Sequence, residues 1–251
     1  MTYKISYQLY SSRNFPPLAS HLPVLKDMGY DGVEPWLPAY QEDPALLRRQ
    51  IDDAGLACYS FHMPLSGLVD EPGRFIDIAL TLGARYMIPP FVPVAERENS
   101  SDFWKGIGDR LAEGARLAAP HGLKVLWHNH DFEYAPLPDG SRPIDHILTA
   151  GEEVLFEIDC GWIARAGADP ARELCKYADR IFAIQPKDTA PPGTQAEDGW
   201  TATGDGIIDW PALAPLFKQT NADLIVTEHD NPADWKRFAK RSIDYLRTLG
   251  I

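Results

Sequence analysis

Short apolar runs alternate with longer amphipathic segments along the whole chain. The runs that read as strands are Lys4–Tyr10, Gly32–Trp36, Ala57–Pro64, Tyr86–Phe91, Lys124–His130, Leu155–Gly161, Ile181–Asp188 and Leu224–Asp230. Between them, apolar positions recur at helical spacing over Leu18–Met28, Pro44–Ala54, Arg74–Leu82, Asp102–Ala119, Pro143–Thr149, Pro170–Ala178, Trp210–Gln219 and Ala233–Leu249. Strict βα alternation implies a parallel sheet. Eight such units in 251 residues leave no room for a second domain. The pattern predicts an α/β fold, a closed (β/α)8 TIM barrel, as one domain over residues 1–251.

Local chemistry marks the boundaries. Gly29, Gly55, Gly83, Gly122, Gly151 and Gly250 follow helical patterns, where a left-handed cap is expected. Asp43-Pro44, Asp169-Pro170, Asp209-Trp210-Pro211 and Asn231-Pro232 pair a capping side chain with an early proline and should open helices. Thr189–Ile208 reads as a long loop after the seventh strand, of the kind that forms lids, and Val92–Ser101 as a smaller one.

Strand parity then sorts the side chains. The face under the helices should be apolar, which suits Ile5, Tyr7, Leu9, Val33, Tyr59, Phe61, Val125, Trp127, Phe156, Ile158, Phe182, Ile184, Ile225 and Thr227. The alternate positions point into the barrel. They include Gln8, Glu34, His62, His128, His130, Asp159, Gln185, Lys187, Glu228 and Asp230, with Glu157 one layer deeper as a structural carboxylate. The ionisable groups therefore collect at the C-terminal strand ends, where barrel enzymes keep their active sites.

Composition narrows the classes. With 24 Lys plus Arg against 36 Asp plus Glu, the net charge of −12 repels phosphate backbones and argues against nucleic-acid binding. No apolar stretch approaches the roughly 20 residues of a membrane span. The start, Met1 to Ile5, enters a strand-like pattern at once and lacks a signal-peptide layout. Cys58, Cys160 and Cys175 form a sparse, odd set without CxxC spacing, which predicts free thiols and a cytoplasmic location. Cys160 should be a packed core thiol.

Oxygen and imidazole donors without thiolates suit one divalent metal ion, Mn, Mg, Co or Zn. Bare carboxylates at such depth would cost several kcal/mol each. A cation removes that cost and activates the carbon next to a sugar carbonyl for proton transfer through a metal-stabilised enediolate. Glu228, His128 and Lys187 are the candidate catalytic groups. Glu34, His62 and His130, with the aromatic side chains of Trp36, Phe91 and Trp162, are candidate substrate contacts for a small carbohydrate. Lys187-Asp188 also reads as a local ion pair, and Gly204-Asp205-Gly206 as a turn.

In order along the chain, several short motifs resemble the xylose isomerase-like TIM barrel superfamily and its sugar phosphate isomerase/epimerase group. They are Tyr7-Gln8-Leu9-Tyr10-Ser11-Ser12-Arg13, Gly29-Tyr30-Asp31-Gly32-Val33-Glu34, Phe61-His62, His128-Asn129-His130-Asp131-Phe132-Glu133, Asp159-Cys160-Gly161-Trp162, Lys187-Asp188, Gly204-Asp205-Gly206 and Glu228-His229-Asp230. The resemblance implies a metal-dependent sugar or sugar phosphate isomerase/epimerase. It places the metal ligands at His128, Asp159, Gln185 and Glu228. Epimerases of the group carry Glu where His128 stands and His where Gln185 stands, so only one of their two opposed glutamates remains here. Paired histidines on the fifth strand resemble inosose dehydratases. A metal-dependent dehydratase or lyase on a keto-sugar, including elimination from a 3-keto-glycoside, is the alternative, and a non-catalytic sugar-binding barrel a third. By analogy with such barrels, a homodimer is expected.

Overall fold

Each predicted strand begins where its apolar run begins and ends sooner than the run does. The computed structural model describes residues 3–251, so the reading of Met1 and Thr2 as leading into the first strand lies outside the described residues. The strands are Lys4–Gln8, Gly32–Glu34, Tyr86–Ile88, Lys124–His128, Leu155–Asp159, Ile181–Gln185 and Leu224–Thr227, with the third position split into Ala57–Cys58 and Ser60–His62. All pairings among them are parallel, and the first strand pairs with both Gly32–Glu34 and Leu224–Thr227. Tyr59 joins the two pieces that end the pairing order, so the barrel closes through the third position. This is a single-domain TIM barrel.

The strands stop early because their last side chains turn the chain. Gln8 accepts from Tyr10 N and starts the 3-10 turn Leu9–Ser12. Asp159 accepts from Trp162 N and caps the short helix Cys160–Arg165. That helix, with Leu37–Tyr40 and Ser66–Val69, lies in the loops above the barrel. Six or fewer residues show no helical period, so the hydrophobic pattern missed all three.

Helix boundaries otherwise follow the capping residues. Asp43, Asp169 and Asp209 accept from Leu46 N, Ala171 N and Ala212 N. The last helix, Trp235–Thr248, is capped by Asp234 instead of Asn231, because Asp234 reaches both Lys236 N and Arg237 N. Gly29, Gly55, Gly83, Gly122 and Gly250 are left-handed, but Gly151 is not. The helix Pro143–Thr149 ends on Ala150 in the right-handed region, so no left-handed residue is needed there.

Parity holds for the site-bearing positions and fails at two aromatic residues. Ile5, Tyr7, Val33, Phe61, Val125, Trp127, Phe156, Ile158, Ile184 and Ile225 pack under the helices. A separate apolar layer, Tyr86, Ile88, Leu126, Ala183, Leu224 and Val226, fills the barrel floor. Tyr59 and Phe182, expected under the helices, pack on that floor layer instead. Between Phe156 and Glu157 the register with the seventh strand jumps from Ile181 to Ala183, leaving Phe182 as an extra residue. Tyr59 likewise lies between two strand pieces, and its one carbonyl accepts from both Arg85 N and Tyr86 N. A bulge inserts one residue and resets the alternation beyond it.

The long loop after the seventh strand folds back on Asp188 at its base, while Glu197 at its tip accepts from Ala233 N and Arg237. Asp188 accepts from Gly204 N, Gly206 N and Ile208 N and, at 2.7 Å, from Trp210 Nε1. It is therefore not the ion-pair partner of Lys187. A Cβ on Gly206 would lie 2.2 Å from Asp188 Oδ1, so only glycine lets the backbone approach.

Candidate functional site

The fifth to eighth strands deliver His128, Asp159, Gln185 and Glu228 to one place at the barrel top. Donor atoms of His128, Asp159 and Glu228 lie within 4.8 Å of one another, and all three residues are buried. Asp159 Oδ2, Gln185 Oε1 and Glu228 Oε2 have no hydrogen-bond partner. Buried acceptors are rarely left so, because each forfeits its hydration. Three of them beside an imidazole fit a divalent cation.

Two further groups frame this cluster. Lys187 is fully buried, donates to Asp230 Oδ1 at 2.8 Å and lies 4.0 Å from Glu228 Oε1. Its ammonium also lies over the rings of Trp162 and Trp200, at 4.8 Å and 4.4 Å. On the other side, Glu157 Oε1 accepts from Gln185 Nε2 at 2.9 Å and lies 3.1 Å from His62 Nε2. It is 3.2 Å from His128 Nδ1, out of line for a hydrogen bond. Glu34 lies 2.9 Å from His62 Nε2 and accepts from Gln8 Nε2 at 2.7 Å and from Ser60 Oγ.

The charges follow from these contacts. Burial, reinforced by Glu157, pushes Glu34 up to about 7, while His62 opposes the shift. Burial works against a charged His62, yet Glu34 and Glu157 raise its pKa well above the usual histidine range. Burial, with His62 and then Lys187 adding to it, holds His128 well below that range. Burial does the same to His130, helped by His128 and Lys187. Burial raises Asp159 and Glu228, with Lys187 pulling both back. Lys187 itself is disfavoured by burial but raised by Asp230, Glu228 and Asp159.

A cavity of about 660 Å³ opens above the cluster. His62, His128, His130, Glu228, Trp36, Phe91 and Trp162 all line it, as the strand ends suggested. Glu34 does not; it sits behind His62 and holds that ring. Lys187, Asp159 and Gln185 are also set back from the wall. Asp230 does line the cavity, whereas Glu157 is fully buried and off its wall, and from there it touches His62, His128 and Gln185. Both share strand parity with chosen residues, Glu228 and Asp159, so the signal for them was present. Glu133 was not singled out: it accepts from Trp127 Nε1 and His130 N and so fixes the loop that carries His130. Its carboxyl is pushed up to about 8 by burial. Gly161 brings the Cys160–Arg165 helix against the seventh strand end, since a Cβ there would lie 2.6 Å from Lys187 O.

Known proteins share this fold. The chain is similar to inosose dehydratases, at 26% identity over 56% of the chain for that of Clostridium beijerinckii. For that of Klebsiella pneumoniae the figures are 24% over 97%. The match spans about half the length of the first of these (53%) and 93% of the second. A solved sugar phosphate isomerase/epimerase from Parabacteroides distasonis superposes with a TM-score of 0.84 at 20% identity, covering 98% of this chain and 94% of that one. The IolI protein, solved with a zinc atom, superposes with a TM-score of 0.73 at 19% identity, covering 98% and 96%. The family profile described as xylose isomerase-like TIM barrel matches residues 22–249, and the chain belongs to that family.

Proposed function

We propose that this protein is a divalent-metal-dependent enzyme acting on a small carbohydrate carbonyl compound, and that it removes water from a keto-sugar or keto-cyclitol. One observation carries the reading: buried, unpartnered oxygens of Asp159 and Glu228 converge with His128 beside an aromatic-lined cavity, and Gln185, paired with Asp159 on the next strand, keeps another. His128, Asp159, Gln185 and Glu228 would hold the cation, which supplies Lewis-acid polarisation of the carbonyl.

The chain's own groups account for the proton transfers. Glu228 reaches the cavity wall and accepts the proton from the carbon next to the carbonyl. The electron pair left on that carbon forms a C=C bond as the neighbouring C–O bond breaks, and the oxygen leaves as water. Lys187 reaches the substrate only through Glu228 and Asp230, and its positive charge keeps both carboxylates usable at depth. His130 stays neutral and lines the wall, so it can relay the proton that the leaving hydroxyl needs.

Similarity to inosose dehydratases over nearly the full chain supports elimination. So does the fifth-strand histidine, which stands where a second opposed carboxylate would serve epimerisation. Isomerisation or epimerisation is the second reading, supported by the fold shared with the Parabacteroides distasonis isomerase/epimerase. Incubating the metal-loaded protein with inosose and other keto-sugars in D2O separates them by NMR. Loss of water to an unsaturated ketone is the expected result. Deuterium gain without water loss favours isomerisation, and neither change in any keto-sugar overturns both readings in favour of a sugar-binding barrel.

A further inference from the structure

The cavity is larger and more apolar than a bare sugar requires. At about 660 Å³ it matches pockets that bury drug-sized ligands, and one sugar ring leaves much of it empty. Its lining is of two kinds. His62, His128, His130, Glu228 and Asp230 come from the strand ends. Trp36, Leu37, Met63, Leu65, Phe91 and Val92, from the loops after the second, third and fourth strands, supply apolar surface. Phe91 is 40% exposed although its ring lies 5.6 Å from that of His130, beside the polar wall. A ligand covering this surface gains the free energy of apolar burial.

The same wall offers little to a phosphate. Phosphate binding draws on guanidinium forks and ammonium groups. Among the described residues lining the cavity, Arg110 is the one Arg or Lys, and the carboxylates of Glu96, Glu228 and Asp230 share the wall with it. The nearby cations have other partners. Arg97 donates to Val92 O and lies over the Phe132 ring, Arg13 donates to Tyr10 O, and Lys187 pairs with Asp230.

We propose that the substrate is an unphosphorylated, two-part molecule: a sugar or keto-sugar joined to a flat apolar group, as in an aryl glycoside. The sugar meets the His128–Glu228 end, and the apolar group lies along Trp36, Leu37, Leu65 and Phe91. This rests on the carbohydrate reading above and adds the substrate class to it.

Calorimetric titration of the purified protein with 4-nitrophenyl β-glucoside, methyl β-glucoside and glucose 6-phosphate tests the proposal. The aryl glucoside should bind about 10- to 100-fold more tightly than the methyl glucoside, the range expected for burying one ring. Glucose 6-phosphate should be no tighter than the methyl glucoside. Phe91→Ala and Leu37→Gln should each shrink the aryl-to-methyl ratio several-fold. Equal affinities, absence of aryl glucoside binding, or a preference for the phosphate overturns the proposal. These ratios need no turnover, so they separate from the functional reading. Metal-dependent water loss without an aryl preference sinks only the substrate class; an aryl preference without water loss or proton exchange sinks only the reaction.

Discussion

Two buried polar clusters sit side by side at the top of this barrel, and they differ in how well their atoms are satisfied. On the first three strands, both carboxylate oxygens of Glu34 are engaged, by Gln8, Ser60 and His62. On the last four, Asp159, Gln185 and Glu228 each keep an unpartnered oxygen. Glu157 joins the two and shares both characters: one oxygen touches His62 and Gln185, and the other is unpartnered. Burial is equally complete in both, so depth alone does not distinguish a scaffold from a reaction centre. What differs is hydrogen-bond satisfaction, complete at Glu34 and incomplete at Asp159, Gln185 and Glu228. A closed network holds side chains in place, whereas acceptors left open at the same depth have room for a ligand.

The sharpest way to break this contrast is Glu228→Gln. It removes a carboxylate from the open cluster, and turnover in the keto-sugar assay should fall about a thousandfold. The melting midpoint should stay within about 4 °C, the shift that roughly 1 kcal/mol produces in a domain of this size. Glu34→Ala should act in the reverse sense. It removes one of the two carboxylates that hold a protonated His62 at depth, leaving Glu157 alone, and urea unfolding should show a loss of about 3 kcal/mol. A Glu34→Ala protein as stable as the parent would remove the scaffold from the comparison.

Metal addition sharpens the contrast from the ligand side. Mn2+ at a hundredfold its Kd should stabilise the parent by about 2.7 kcal/mol in thermal melts, and chelator should reverse it. Asp159→Asn should abolish that gain, whereas a variant altered only in the closed cluster should retain it. The smallest effect is expected at Asp188, which orders the loop beside both clusters without belonging to either. Asp188→Asn should cost about 2 kcal/mol, because charge-assisted hydrogen bonds are lost. Residues 189–208 should then exchange amide protons faster while the barrel strands do not.

Much of this was legible beforehand, and the failures share a cause. Strand starts, the eightfold alternation and the inward parity of His62, His128, Asp159, Gln185 and Glu228 follow from local pattern. Tyr59 and Phe182 fell on the wrong face because a bulge depends on the neighbouring strand's register, which no local window contains. Asp188 read as a partner of Lys187 because the two are adjacent in the chain. In the fold, successive side chains diverge, and Lys187 meets Asp230 from the next strand. Glu34 looked like a substrate contact since parity says inward but not how far up the lumen a side chain reaches.

The chain alone determined the barrel and which side chains enter it, because hydrophobic period and helix caps act over a few residues and are written consecutively. Which of those inward groups pair with one another, and which are left open, was decided only when eight strands closed around a common axis. Partner choice here depends on distances between residues 26 to 95 positions apart, as for Gln8 with Glu34 and His62 with Glu157. Those distances follow from register and closure, and they separate the carboxylate that holds a neighbour in place from the one with an oxygen to spare.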